Sequence, residues 1–345
     1  MVKKNKCCKN EKKIVSLQRI MSWKTLTYRV VSWLKFHLTA WNTGGEGVHS
    51  PYLFEWVRMV MMDRNSYYSW DAIEDCRRAM LADDRELEFV DYGSGKLKGE
   101  NGKLKGENGK LKSENGKRKG ENGKLKSENG KLKGENGKVK GENGERRRVC
   151  DIAKRSLTKR KYAEMLFRLV NWLGTTHRLA NGSGTANSLA FRGLTIVELG
   201  TSLGVTTAYL AMPDSRNRVL TFEGCASVAE VAEENWRKLN VKNIQCVVGA
   251  IDAAVLSREL SCVDVAFVDA NHTYAGAREY FNVLASMVHE KSVIVMDDIH
   301  YSSEMERAWK EICEDERVTS TMDLYQMGLV FFDPHYWHRN YRMRL

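Results

Sequence analysis

Apolar positions along the chain fall into two regimes. Between residues 14 and 90 they recur every three or four positions, which predicts a mostly helical stretch with a turn at NTGGEGVHSP (42–51). Helical spacing returns at VCDIAKRSLTKRKYAEMLFRLVNWLG (149–174), and the Gly/Ser/Asn loop NGSGTANS (181–188) marks a boundary. After it, short apolar runs alternate with helical segments. The runs are TIVELG (195–200), RVLTFEG (218–224), NIQCVVGA (243–250), VDVAFVDA (263–270), SVIVMDD (292–298), STMDLYQ (320–326) and GLVFFDP (328–334). Such alternation predicts an α/β fold: a three-layer α/β/α sandwich with a seven-stranded, mostly parallel sheet. The last two runs lie close enough to form a C-terminal antiparallel hairpin at its edge, and the helical stretch precedes the sheet as an N-terminal segment.

Between the two regimes, residues 95–143 repeat the heptad GKLKGEN or a close variant seven times. A coiled coil needs two apolar positions per heptad. Here each has at most one, and every glycine costs a helix about 1 kcal/mol. A solvated, disordered insertion is expected. It holds fourteen Lys, one Arg and seven Glu, and residues 1–13 hold six Lys and one Glu. Of the total charge of +11, these two segments carry +8 and +5, leaving −2 for the rest. The globular part is therefore not basic, and no specific nucleic-acid partner is expected. The organisation reads as a basic disordered leader (1–13), a helical segment (14–94), the insertion (95–145) and the sheet domain (146–345).

No apolar run approaches the 18 or so residues of a membrane span, so no transmembrane segment is expected. The stretch TYRVVSWLKFHLTAW (27–41) is amphipathic, interrupted by Arg29, Lys35 and His37. It reads as a helix packed on the main domain, with attachment to a membrane surface as the alternative. The eight cysteines show no CxxC pair and no framework spacing. Reduced thiols and a cytoplasmic location are expected, and a homodimer is compatible with this picture.

Two glycine turns compete for a ligand. VDYGSG (90–95) runs directly into the repeat, whereas a ligand-cradling loop leads into a helix N-terminus with free N–H donors. IVELGTSLG (196–204) is followed by the helical VTTAYLAM, and it is the better candidate. In parallel sheets ligands gather at the carboxyl ends of the strands. There stand Glu198 with Gly200, Ser202, Gly204 and Thr206, then Glu223, Ile251 with Asp252, Asp269 with Asn271 and His272, and Asp297 with Asp298. Gly200 and Gly204 would let backbone approach a ligand, and a carboxylate at Glu223 can accept both hydroxyls of a ribose. The loop lacks GxGxxG spacing, so a dinucleotide fits less well. Ser303 and Glu306 in SSEME (302–306) read as a capping box for the next helix, which frees the Asp297–Asp298 pair for other work. Tyr274, His300 and Trp309 are candidates for an acceptor pocket, with core packing the plainer role for Trp309.

From about residue 150 onward the chain resembles the class I S-adenosylmethionine-dependent methyltransferases, which have a Rossmann-like fold. ELGTSLGVTT is similar to their first motif and FEG to their ribose-binding acid. Within the class the similarity is greatest to catechol-type and macrocin-type O-methyltransferases. That resemblance implies S-adenosyl-L-methionine bound by Glu198, Gly200, Ser202, Gly204, Thr206, Glu223, Ile251 and Asp269. It further implies Mg²⁺ held by Asp269, Asp297 and Asp298, with His272 in DANHTY as general base. The implied activity is metal-assisted methyl transfer to a hydroxyl of a small molecule such as a catechol, polyol or sugar. The alternatives are a metal-free methyltransferase acting on RNA or protein, and a non-catalytic Rossmann-like binding protein.

Overall fold

A computed structural model describes residues 27–40, 48, 50–89, 145–181, 193–251, 256, 258–336 and 338–345. The leader 1–13, the VDYGSG turn, the repeat, most of the NGSGTANS loop and Asp252 lie outside the described residues. A helix spans 27–39, followed by Pro51–Trp56, which runs into a π-helical turn at Val57–Met61, and then Tyr68–Leu81. Strand β1 (Glu86–Phe89) pairs antiparallel with β2 (Glu145–Arg148), Phe89 lying opposite Glu145. The chain that leaves for the repeat at one strand end thus re-enters beside it. Helices Val149–Ser156 and Arg160–Asn181 then lead to the main sheet.

That sheet contains β3 (Thr195–Leu199), β4 (Arg218–Glu223), β5 (Ile244–Val248), β6 (Val263–Val268), β7 (Val288–Asp297), β8 (Ser320–Asp323), β9 (Met327–Phe331) and β10 (Arg339–Arg342). Its order is β10-β8-β9-β7-β6-β3-β4-β5. Pairing is parallel from β5 through β7, and β9 runs antiparallel to both β7 and β8. All seven expected strands are present. The eighth, β10, pairs parallel with β8, and only Tyr341 of its four residues is buried, so RNYR shows no alternation to read.

Period-two alternation sends neighbouring strand residues to opposite faces. Ile196, Val265, Phe267, Val295 and Phe331 pack on one side with Leu53, Trp56, Val57 and Val60 and with the Arg160–Asn181 helix. The Trp56 and Phe331 rings meet edge-on at 5.8 Å. The N-terminal helices therefore cover one face of the sheet and share its core. Val197, Leu220, Ala266, Ile294 and Val330 face the other way, against helices Tyr274–Ala285 and Ser303–Cys313. The second of these is capped by Ser302, whose hydroxyl accepts from Met305 N–H, not by Ser303. Glu306 instead receives the Tyr28 hydroxyl from the 27–39 helix.

Candidate active site

The sheet order reverses between β3 and β6, and in open α/β sheets that is where a crevice opens at the strand ends. Gly200 sits there with φ +100°, and a Cβ on it would lie 2.1 Å from the Asp269 carbonyl oxygen. No other residue lets the two strand ends come so close. Ser202, also at positive φ, donates its N–H to Glu223 Oε2 at 2.8 Å, and its hydroxyl meets that of Ser156 at 2.6 Å. Cys225 N–H donates to the other Glu223 oxygen at 2.9 Å. Burial raises the Glu223 pKa while these backbone N–H groups oppose the shift, so the carboxylate is held in place at the tip of β4.

A cavity of about 1320 Å³ opens over these ends. Its lining includes Gly200, Ser202, Glu223, Ile251, Asp269, His272, Asp297, Asp298 and His300. Three of the residues expected to touch a cofactor stand elsewhere. Glu198 is wholly buried beneath the loop, where Oε2 accepts from the hydroxyls of Thr207 (2.5 Å) and Thr221 (2.6 Å). Its Oε1 has no hydrogen-bond partner among the described residues, and burial pushes its pKa up to about 8. Gly204 has φ +74°, and its missing Cβ makes room for the Trp236 ring 2.6 Å away. Thr206 is buried with its hydroxyl on Thr158.

His272 is half-buried on the turn after β6, its Nε2 3.4 Å from Asp269 Oδ1. Asp269 has its pKa raised to about 6, first by burial and then by Asp298, with His272 opposing. Asp297 is pushed well above the usual carboxylate range by burial and by Asp269 and Asp298, and its Oδ1 has no hydrogen-bond partner among the described residues. The three acids thus feel one another. Even so, no group of three or more His, Cys, Asp or Glu side chains among the described residues is arranged to hold a metal ion. Asp297 closes β7, and Asp298 follows at φ +53°. Asp269, Asp297 and Asp298, the expected Mg²⁺ ligands, all line the same cavity.

Of the three acceptor-pocket candidates only His300 lines the cavity. Its Nε2 lies 2.9 Å from Asp323 Oδ2, and its ring stacks on Tyr325 at 5.2 Å. Tyr274 is turned to Glu311, and Trp309 packs over Gly328. Sequence reading missed the contribution of the 27–39 helix, which lends Arg29, Trp33, Phe36 and His37 to the wall. Its inner face is fixed by Tyr28 on Glu306, Ser32 near His300 (3.5 Å) and the Tyr325 hydroxyl on the Arg29 carbonyl (3.0 Å). The amphipathic period of this segment was the available signal; its partners lie some 270 to 300 residues away.

Family models match two parts of the chain. Residues 197–299 match the family model described as a methyltransferase domain. Residues 95–125, within the repeat, match a second model, the FAZ1 C-terminal region. No curated protein matches the chain. Among solved structures, the O-methyltransferase from Bacillus cereus in complex with SAH is 18% identical, covering 51% of this chain and 83% of that one at a TM-score of 0.41. The O-methyltransferase TomG from Streptomyces achromogenes, in complex with SAM, is 19% identical over 52% and 82%, with a TM-score of 0.38. At these values the structural likenesses carry no functional weight. The matched segment spans β3 to the end of β7 and contains the glycine turn, Glu223, Asp269 and His272. Residues 197–299, from within β3 to just past β7, are thus similar to a methyltransferase domain.

Proposed function

We propose that the protein transfers a methyl group from S-adenosyl-L-methionine to a hydroxyl of a small molecule. One observation supports this reading above the others: a single cavity carries both the Glu223–Ser202 cradle and the Asp269–His272 pair. At about 1320 Å³ it exceeds the several hundred Å³ usual for one ligand. A cofactor and an acceptor can occupy it side by side.

S-adenosylmethionine supplies a methyl group on a positively charged sulfur, ready for in-line displacement. The chain supplies the rest. Glu223, with one oxygen on Ser202 N–H and the other on Cys225 N–H, keeps lone pairs for ribose hydroxyls. His272 takes the proton of the attacking hydroxyl as the new O–C bond forms and the C–S bond breaks. Asp269 Oδ1, 3.4 Å away, stabilises the imidazolium that results. The 27–39 helix and Tyr325 close the acceptor side, which excludes water and fixes orientation. Asp269, Asp297 and Asp298 line the same cavity and supply the hard oxygen donors that Mg²⁺ prefers; bound there, the ion would lower the pKa of an acceptor hydroxyl.

The test is a methylation assay with labelled cofactor against catechols, polyols and sugars. His272→Ala should lower turnover about 10²–10⁴-fold while cofactor affinity holds. EDTA tests the metal: activity lost to EDTA and restored by Mg²⁺ would add the ion to the mechanism, and activity that survives EDTA would remove it. Full activity in the His272 variant would remove that residue from the chemistry.

A further inference from the structure

The 27–39 helix has two faces of different fate. Ser32, Phe36 and Ala40 are buried against the domain. Val30, Val31, Leu34 and Leu38 project on the opposite side, 48–85% exposed, with Trp33 flanking them at 46%. At 100° per residue the four aliphatic positions form one outward stripe, and Trp33, which also lines the cavity, lies on its inner border. A helix of thirteen residues is too short to span a bilayer, and no helix among the described residues is long and apolar enough to do so. An apolar stripe of this width on a short helix fits the plane of a membrane surface.

Charge selects the occupant. Lys35 borders the stripe, and residues 1–13 place six lysines against one glutamate only thirteen residues before the helix begins. At most about 3.5 Å of chain per residue keeps Lys13 within about 50 Å and Lys3 within about 85 Å of the helix start. A surface that offers both an apolar layer and fixed negative charge satisfies both features, because apolar insertion and lysine attraction to anionic headgroups add. We infer that the protein docks on anionic lipid bilayers through the outward face of the 27–39 helix, assisted by the lysines of residues 1–13. The inner face of the same helix walls the acceptor cavity, so docking sets that cavity against the membrane surface.

The experiment is vesicle flotation of the full chain. Vesicles of phosphatidylcholine alone are compared with vesicles containing about a third phosphatidylserine, at low salt and at 0.5 M salt. Binding to the anionic vesicles, weakened by salt, is expected. Leu34→Glu with Leu38→Glu should reduce it at least tenfold, as should replacing the six lysines of residues 1–13 with Gln. Neither leucine lines the cavity, so binding of the demethylated cofactor, followed by calorimetry, should persist and report an intact fold. Failure of that cofactor binding in the parent protein would count against the methyltransferase reading and leave the docking result standing. The inference is overturned if the parent chain ignores anionic vesicles, or if the Leu34/Leu38 variant still binds them. It is overturned equally if sedimentation shows a dimer that the same two substitutions dissociate, since the stripe would then be a subunit interface.

Discussion

Replacing Glu198 with Gln should make the protein less stable in mild acid and more stable in mild base. Burial raises the folded-state pKa of Glu198 from 4.5 to about 8. A raised carboxyl pKa means that the folded chain holds a proton which the unfolded chain releases, so stability falls as pH climbs from 4.5 to 8. With these two values the loss is about 3 kcal/mol at pH 7 and about 5 kcal/mol near pH 8.5, relative to pH 4. Gln cannot ionise, yet its oxygen still accepts from the hydroxyls of Thr207 and Thr221. Its amide N–H₂ takes the place of Oε1, which has no partner among the described residues, and this costs about 1–3 kcal/mol at every pH. The curves for parent and variant should therefore cross, with the variant about 2–4 kcal/mol more stable at pH 8.5. Urea unfolding of the cofactor-free proteins at pH 5, 7 and 8.5 measures this. Glu223, Asp269 and Asp297 also have raised pKa values and add a slope of their own to both proteins, so the diagnostic is the difference between the two curves. Parallel curves would show that Glu198 does not titrate in this range and would undo the assignment.

Three further outcomes follow from the geometry. Glu223→Ala removes the cavity's carboxylate at the tip of β4 and should weaken binding of S-adenosylmethionine by about 1–3 kcal/mol in calorimetry. Deleting residues 95–143 should leave the fold and the melting temperature nearly unchanged, because Phe89 and Glu145 are already paired and loop closure changes by only about 0.6 kcal/mol per doubling of length; collapse of the melting transition would show that the repeat contributes to the core. Gly204→Ala forces a Cβ against Trp236 at positive φ and should cost about 2–4 kcal/mol in chemical denaturation, a loss a purely ligand-approach glycine would not show without ligand.

Much of the sheet was legible because strand burial is written as local alternation: Ile196 and Val197 go to opposite cores, and the same holds along β4, β6 and β7. Strand β10 left no such trace, since its position is set by pairing with β8 and by one tyrosine. The strand-end acids were legible as a set but not individually. Glu198 and Glu223 are spaced as a cofactor motif requires, yet one accepts threonine hydroxyls under the loop and the other faces the cavity. Which way a side chain leaves a strand end depends on the last backbone dihedral, and for Asp298 that angle is positive. No residue pattern encodes it.

The same limit bears on the helix at the cavity mouth. Its period announced an amphipathic helix, but a helix with apolar residues on most of its circumference has no local rule for choosing the face that packs. The choice is made by Glu306, His300 and Tyr325, three side chains from the far end of the sequence that take up Tyr28, Ser32 and the Arg29 carbonyl. Those polar anchors spend the helix's hydrogen-bonding side inward and leave Val30, Val31, Leu34 and Leu38 outward. A helix that only needed to cover the cavity would be expected to turn its leucines in and its polar groups to solvent. Here the arrangement is reversed. The outward apolar stripe is thus a consequence of specific long-range contacts, and those contacts tie any event on the outer face to the cavity wall.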